Sequence, residues 1–231
     1  PDLKFFKQNP EEISKYWIYN QEAINSRLGT NTKIYKTHNA LIKHNSNYFT
    51  NIDQTKCFIY IVRDPRSVVI SSKEHYGFKN YKEAVNILLS DKWMSYASIQ
   101  QDLLPELILS WRSNFISWQN FYAKNRDKGI ILRYEDLVDH PKETYSMLIK
   151  FLSKHLNFSI NEKKLFNSIE SVKFEQLSLM EKEKGFIEKS KKSKYFFRKG
   201  ETKEWEKILD DILINKINDN FKKEMTYLNY I

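Results

Sequence analysis

Side chains suited to binding an anion follow the apolar run of residues 57–62. Arg63 comes directly after this run, and Ser67 and Ser71 follow four residues apart, on one face of a predicted helix. Because helical side chains lean towards the helix N-terminus, both hydroxyls should point at the turn that carries Arg63. A guanidinium, two hydroxyls and the N–H groups of a helix N-terminus suit a phosphate or a sulfate group. The alternative is that Arg63 and Arg66 pair with surface carboxylates, and the apolar run before them favours the anion site.

The elements that must present these side chains are a buried strand and a helix. Residues 57–62 are all apolar or aromatic, rich in β-branched types and too few for a buried helix, which predicts a strand covered on both faces. Asp64 and Pro65 then supply an N-cap and a first helical residue, so the helix should begin at about Pro65.

Lys36 and His38 lie at or just beyond the end of another predicted strand, residues 32–38. A third strand is predicted over residues 129–134, followed by a turn at residues 135–137. Helices are predicted over residues 9–27, 81–89, 107–122, 141–155, 161–169 and 174–180, with a final helix capped by Thr202. The aromatic stripe of residues 107–122 is interpreted as core rather than as a ligand contact. This order indicates an α/β fold with a central parallel sheet flanked by helices, in which ligands collect at the carboxyl ends of strands.

The composition restricts the class of protein. With 231 residues, of which 41% are hydrophobic and 15% aromatic, the chain is long and apolar enough for one domain with a sizeable core. Lys and Arg total 38 against 29 Asp and Glu, and the net charge of +9 favours an anionic ligand or surface. Much of this excess lies in residues 182–203, and we expect residues 189–194 to form a solvated, flexible segment.

Three further features concern location and cofactors. The single cysteine, Cys57, lies in a predicted core strand without a disulfide partner, which indicates a reducing compartment, and we expect a cytoplasmic protein. No window approaches about 18 apolar residues, so no membrane span is expected. No cluster of His, Cys and Asp has the spacing of a metal site, so no metal is expected.

Four short motifs resemble those of the cytosolic-type sulfotransferases, which transfer a sulfuryl group from 3′-phosphoadenosine 5′-phosphosulfate (PAPS) to a hydroxyl or amine. The motifs are Lys36-Thr37-His38, Arg63 with Ser71 eight residues later, Tyr134-Glu135-Asp136-Leu137, and Arg198-Lys199-Gly200. All four lie in the family's order, on predicted strand ends and loops. The resemblance covers residues 33–205 and implies a P-loop-kinase-like α/β fold in a single sulfotransferase-like domain over residues 1–231.

By this resemblance, Arg63 and Ser71 bind the 3′-phosphate of the donor, and Arg198, Lys199 and Gly200 close over it from a basic segment. A dianionic phosphate favours a guanidinium, a hydroxyl and backbone N–H groups, which agrees with these residue types. The desulfated product, 3′-phosphoadenosine 5′-phosphate (PAP), keeps this phosphate and should also bind.

The resemblance also assigns the adenine contacts and the chemistry. Tyr134 lies beside the adenine, and Phe174 matches a ring that stacks on it, although Phe174 can equally be a core residue. His38 matches the general base that takes the proton from the acceptor as its oxygen attacks sulfur, a role that suits a neutral imidazole near pH 7. Lys36 matches a residue near the transferred group, where a cation offsets charge on the leaving oxygen. The other histidines match no family residue and are interpreted as structural.

One element of the family has no counterpart here. The loop that binds the 5′-phosphosulfate, similar to Pro-Lys-Ser-Gly-Thr-Thr-Trp, should precede Lys36, and residues 1–35 contain nothing like it. A strand, this loop and a helix amount to roughly thirty residues, the size of one crossover unit. We expect the sequence to begin downstream of that unit rather than to have lost it.

The patterns leave three functions to compare. The first is a PAPS-dependent sulfotransferase that acts on a small-molecule or glycan acceptor bound along residues 81–118, with homodimer formation left open. The second is a PAP-binding module without catalysis. The third is a nucleic-acid-binding protein, motivated by the net charge of +9 and by Phe196 and Phe197 beside the basic residues. We do not expect a nucleic-acid partner, because the arginines lie at strand ends rather than along a groove-fitting face.

Overall fold

The structure is a computed structural model that describes residues 3–29, 31–95 and 104–231. The strands are β1 (Lys43–His44), β2 (Asn47–Tyr48), β3 (Phe58–Val62), β4 (Met94–Ser95), β5 (Glu106–Leu107) and β6 (Gly129–Arg133). A 3-10 helix covers Pro10–Tyr16. The α-helices are α1 (Leu3–Gln8), α2 (Trp17–Leu28), α3 (Pro65–Tyr76), α4 (Tyr81–Leu88), α5 (Trp111–Lys124), α6 (Tyr134–Asp139), α7 (Pro141–Leu156), α8 (Glu162–Ser171), α9 (Phe174–Lys184), α10 (Trp205–Ile208) and α11 (Asp211–Tyr227). Within the described ranges, none of these helices has the length and hydropathy needed to cross a membrane.

The parallel pairing of β3 with β6 defines the fold class. Helix α3 follows β3, and α6 and α7 follow β6, so helices succeed both strands. Two short antiparallel pairs, β1 with β2 and β4 with β5, complete the strand pairings of the described residues. The predicted α/β fold with a parallel sheet is therefore confirmed.

The chain divides into two compact units. Unit 1 comprises Pro1–Tyr60 and Leu89–Ile131, and unit 2 comprises Ile61–Leu88 and Leu132–Ile231. In unit 1, the aromatic residues of α5 pack against the start of β3: the ring centroids of Phe58 and Trp118 lie 5.5 Å apart, and those of Tyr60 and Phe115 lie 6.2 Å apart. The prediction that the aromatic stripe belongs to the core is confirmed, since Phe115 is 1% exposed and Trp118 is 8% exposed.

Glycine at position 129 permits this packing. A Cβ atom added to Gly129 would lie 2.2 Å from Cζ of Phe58 and 2.6 and 2.8 Å from Cε1 and Cε2 of the same ring. Real Cβ atoms do not approach a ring so closely, so any side chain here would displace the Phe58 ring from the aromatic cluster.

In unit 2, helix α3 begins where the sequence predicts. The Asp64 side chain accepts the backbone N–H of Arg66, Pro65 is the first helical residue, and Gly77 ends the helix in a left-handed conformation. The Arg66 guanidinium turns back onto Asp64 at 2.7 Å (Nη2 to Oδ2), donates to the carbonyl of Tyr230 at 2.9 Å and stacks over the ring of Trp205. Arg66 therefore forms a buried ion pair rather than the surface pair considered as an alternative.

A second carboxylate joins the residues that follow β3 to those that follow β6. Glu135 accepts the backbone N–H of Asp64 at 3.0 Å and the hydroxyl of Tyr230 at 2.8 Å. Burial, with the Glu135 charge nearby, raises the pKa of Tyr230, which keeps the phenol protonated as a donor. These contacts connect Asp64, which follows β3, and Glu135, which follows β6, to Tyr230 near the C-terminus.

Two predictions about strands are wrong. Residues 32–38, which carry Lys36 and His38, form no strand, because within the described residues no backbone ladder pairs with them, and Ile34 and Tyr35 are 77% and 58% exposed. The strand at residues 57–62 begins at Phe58 and is not covered on both faces: Ile59 and Ile61 are exposed while Phe58 and Val62 are buried. The alternation is that of a sheet with one covered face.

Predicted helix boundaries fail where tertiary contacts decide them. The helix predicted from Leu107 begins at Trp111, because Leu107 pairs with Met94 across β4 and β5 and the Ser110 side chain caps α5. Residues 135–137 lie in helix α6 rather than in a turn. The final helix is not capped by Thr202: α10 follows Glu204, and the Asp210 side chain caps α11. The helices predicted over residues 81–89, 141–155, 161–169 and 174–180 are present as α4, α7, α8 and α9.

Residues 185–204, here called the basic loop, contain no helix or strand but are held at defined points. Glu181, at the end of α9 and 6% exposed, accepts the backbone N–H groups of Phe196 at 2.7 Å and Phe197 at 2.9 Å. Lys192, which was expected in a solvated segment, donates to the Tyr76 carbonyl at 3.1 Å. A buried carboxylate thus fixes the backbone immediately before Arg198.

Replacing Glu181 with alanine should loosen the basic loop. The change removes two hydrogen bonds from backbone N–H groups to a charged acceptor, a cost of about 1.5 to 3 kcal/mol for the locally folded state. Amide hydrogen exchange at Phe196 and Phe197 should therefore become faster by at least about tenfold. The matched control is Glu183→Ala, which removes an exposed carboxylate two residues along the same helix and should leave both rates near the parent values. Equal rates in the two variants would contradict the anchoring role of Glu181.

Candidate nucleotide and catalytic residues

Seven of the nine sequence-predicted site residues belong to unit 2, and Lys36 and His38 belong to unit 1. In unit 2, Arg63 and Tyr134 follow the two paired strands and lie together. The guanidinium carbon of Arg63 is 4.4 Å from the centroid of the Tyr134 ring, a cation–π contact. The pairing of β3 with β6 brings these two residues, 71 positions apart, to one place.

Ser67 and Ser71 of α3 take different roles. Ser71 is exposed, and its hydroxyl donates to the Val68 carbonyl at 3.0 Å, one turn back along the helix. Ser67 is buried and donates to the Thr202 carbonyl at 2.7 Å. The expectation that both hydroxyls serve an anion is therefore wrong for Ser67, because its single proton is used to hold the basic loop against α3.

The cations of the basic loop share one buried carboxylate. Arg198 forms a two-pronged hydrogen bond to Glu204, with Nη1 2.7 Å from Oε1 and Nη2 bonded to Oε2, and Lys199 Nζ lies 3.0 Å from Oε1. Burial acts to raise the pKa of Glu204, but the hydrogen bonds from Arg198 and Lys199 outweigh it and lower that pKa. Arg198 and Lys199 carry two positive charges and Glu204 one negative charge, so the three side chains together have a net positive charge that favours the binding of an anion.

Gly200 and Phe174 are also brought together. Gly200 has a φ of +69°, and a Cβ atom there would lie 2.6 Å from the Phe174 ring. The chain therefore needs glycine at this position both for its backbone conformation and for its close approach to Phe174. Phe174 is half-buried at the start of α9, so it stands beside the basic loop rather than deep in a core.

In unit 1, a carboxylate that the sequence reasoning missed holds His38. Glu106 Oε2 lies 2.8 Å from His38 Nδ1, and Glu106 Oε1 accepts the His38 backbone N–H at 2.7 Å and the Thr37 hydroxyl at 3.0 Å. The His38 side chain is 57% exposed, whereas that of Glu106 is 20% exposed. Lys36, on the same segment, is exposed. No local pattern marks Glu106, which lies 68 residues from His38 and directly before the helix predicted over residues 107–122.

The backbone around His38 is fixed although it forms no strand. Asn39 accepts the Leu107 N–H with its side chain at 2.8 Å and the Trp118 indole N–H with its carbonyl at 3.0 Å. The Asn114 amide donates to the His38 carbonyl at 3.1 Å. Side chains from β5 and α5 thus replace the sheet that the sequence led us to expect.

Comparison with solved structures identifies the fold. A mouse sulfotransferase, SULT7A1, complexed with PAP matches with a TM-score of 0.54 and 19% identity, over 75% of this chain and 60% of that one. A retinol dehydratase in a complex with retinol and PAP matches with a TM-score of 0.58 and 19% identity, over 85% of this chain and 54% of that one. The chain therefore spans between about half and two thirds of the length of each. Both likenesses show the sulfotransferase fold, which is P-loop-like.

No curated protein sequence matches the chain significantly. The sulfotransferase domain family, however, matches residues 11–229, which is nearly the whole chain. The match includes both units and all nine predicted site residues. The chain belongs to the sulfotransferase domain family.

Proposed function

We propose that the protein is a PAPS-dependent sulfotransferase, which moves a sulfuryl group from PAPS to a hydroxyl or amine acceptor. The observation that carries the proposal is the convergence of distant motif residues within unit 2. Arg63 stacks on Tyr134, and Gly200 lies against Phe174, although the members of each pair are separated along the chain by 71 and 26 residues. If the short motifs resembled those of the family only by chance, there would be no reason for these distant residues to lie in contact.

Arg63, Ser71 and the basic loop would bind the 3′-phosphate of PAPS. A guanidinium forms charge-assisted hydrogen bonds to phosphate oxygens, and the Ser71 hydroxyl is exposed and can turn from the Val68 carbonyl to such an oxygen. Arg198, Lys199 and the Gly200 backbone would close over the same group. Tyr134 and Phe174 would contact the adenine. The presence of PAP in the sulfotransferase and retinol dehydratase crystals supports this assignment.

His38 would act as the general base of the transfer. The acceptor oxygen attacks the sulfur of PAPS in line with the bond to the 5′-phosphate, so a new O–S bond forms as the sulfur–phosphate bond breaks. The acceptor proton passes to the His38 imidazole, and PAP leaves with the electrons of the broken bond. Lys36 would offset the negative charge that develops on the departing phosphate oxygen.

A small hydroxylated molecule is the acceptor class that the related structures favour. The retinol dehydratase structures contain retinol or androsterone, and both matches have TM-scores of at least 0.50. A glycan acceptor and homodimer formation stay open in this proposal. The single domain over residues 1–231 and the cytoplasmic location expected from Cys57 belong to it as well.

A PAP-binding module without catalysis is the second candidate. It is favoured by the contact of Arg63 with Tyr134, which lies wholly within unit 2 and does not involve His38. Both candidates require the 3′-phosphate residues of unit 2, but only the sulfotransferase requires His38. Binding and turnover therefore separate them.

PAP should stabilise the protein through Arg63. At about one hundred times its Kd, PAP stabilises the folded state by about 2.7 kcal/mol, which raises the Tm of a chain this long by about 5 to 10 °C. Arg63→Ala should remove most of this rise, because it takes away charge-assisted hydrogen bonds to the 3′-phosphate. Arg126→Ala, which removes an exposed arginine of unit 1, should keep the full rise. The proposal is contradicted if PAP shifts the Tm of all three proteins equally or shifts none.

Removal of the imidazole should abolish turnover without loss of nucleotide binding. We expect His38→Ala to lower kcat for sulfuryl transfer from radiolabelled PAPS to 2-naphthol or a primary alcohol by about 10² to 10⁴-fold. The PAP-induced rise in Tm should persist in this variant. His44→Ala, a change at a half-buried histidine of unit 1, should transfer at close to the parent rate. A His38→Ala variant as fast as the parent would remove His38 from the mechanism, and a parent that binds PAP but transfers nothing would favour the binding module.

A further inference from the structure

The contact between Glu106 and His38 has the form of a carboxylate–imidazole pair. One carboxylate oxygen receives the His38 ring at Nδ1, and the other receives the backbone N–H of the same residue and the hydroxyl of Thr37. Three donors from two consecutive residues therefore converge on one side chain. An exposed ion pair with a single contact would leave the orientation of the imidazole free. The three hydrogen bonds to Glu106 instead fix both the backbone and the ring of His38.

The arrangement determines which ring nitrogen carries the proton. An ionised carboxylate can only accept hydrogen bonds, so His38 must donate through a protonated Nδ1. Burial acts to raise the pKa of Glu106, but the hydrogen bonds from His38 and Thr37 outweigh it and lower that pKa, so the carboxylate is ionised near neutral pH. In the neutral imidazole, the lone pair then lies on Nε2.

We propose that Glu106 is a positioning residue that holds His38 in the Nδ1-protonated tautomer, so that Nε2 is the atom that takes the proton from the acceptor. The inference rests on the proposed function in that it gives His38 the role of base. Glu106 does not touch the acceptor or the donor in this scheme and does not itself take the proton. The proton moves from the acceptor oxygen to Nε2, and the Glu106 charge faces the imidazolium that results.

The rest of the local structure supports a fixed orientation. The Asn114 amide holds the His38 carbonyl, and Asn39 ties the next residue to Leu107 and Trp118. Nδ1 is occupied by Glu106, and the side chain is 57% exposed, which leaves Nε2 available to an acceptor.

Nitrogen NMR of the full chain with isotopically labelled histidine tests the tautomer directly. The His38 signals are assigned as those that disappear in His38→Ala, and spectra are recorded above the imidazole titration. We expect a protonated Nδ1 and an unprotonated Nε2 in the parent. The opposite tautomer in the parent would overturn the inference without need of a variant at Glu106.

Glu106→Gln should invert this tautomer. The amide oxygen can still accept from Thr37 and the His38 backbone, which turns the NH₂ group towards Nδ1 and moves the ring proton to Nε2. The control is Asp91→Asn, which removes the same charge from another carboxylate of unit 1, one that accepts the hydroxyls of Ser110 and Ser113. It should leave the His38 signals unchanged. A parent-like His38 spectrum in Glu106→Gln would overturn the inference.

Kinetics separate a positioning role from a general loss of structure. Glu106→Gln should lower kcat by about one hundredfold or more, because Nε2 can no longer accept a proton, while KM for PAPS and the PAP-induced rise in Tm stay near the parent values. An unchanged kcat in a variant whose tautomer is inverted would overturn the inference. If the parent has the expected tautomer but transfers no sulfuryl group, the proposed function fails while the Glu106–His38 pair stands.

Discussion

Unit 2 is built around the buried ion pair of Asp64 and Arg66, whose side chains are each 7% exposed. Asp64 caps helix α3 and receives the Arg66 guanidinium on the same carboxylate, while its own backbone N–H donates to Glu135. Loss of either partner would leave an uncompensated buried charge, at a cost of about 3 to 5 kcal/mol. Arg63 immediately precedes this pair, and Tyr134 immediately precedes Glu135. This network therefore fixes the backbone beside two of the proposed nucleotide residues, Arg63 and Tyr134.

Carboxylates also hold the other proposed site residues in place. Glu204 fixes the cations of the basic loop, Glu181 fixes its backbone, and Glu106 fixes the imidazole of unit 1. Each carboxylate is more buried than the group it holds, so it orients that group while the group keeps a face towards solvent. Cations that are already held in place lose less conformational entropy when they bind an anion, and Glu204 holds Arg198 and Lys199 without neutralising both charges.

The sequence predicted the features that local chemistry decides. Asp64 and Pro65 predicted the start of α3, and the apolar run before Arg63 predicted β3. Both predictions rest on helix capping and hydrophobic pattern, which depend only on residues a few positions apart. The features that failed depend on distant partners. Residues 32–38 have a strand-like pattern but no ladder within the described residues, and Asn39 anchors them instead. The contact of Glu106 with His38 could not be predicted, because the two residues lie 68 positions apart in the sequence.

The proposed function depends above all on the recognition of the 3′-phosphate of an adenine nucleotide by unit 2. Calorimetric titration of PAP against adenosine 5′-phosphate measures this directly, since the two ligands differ only in that group. Charge-assisted hydrogen bonds worth about 1.5 to 3 kcal/mol should make PAP bind about tenfold to one hundredfold more tightly. Equal affinities for the two nucleotides would contradict the account.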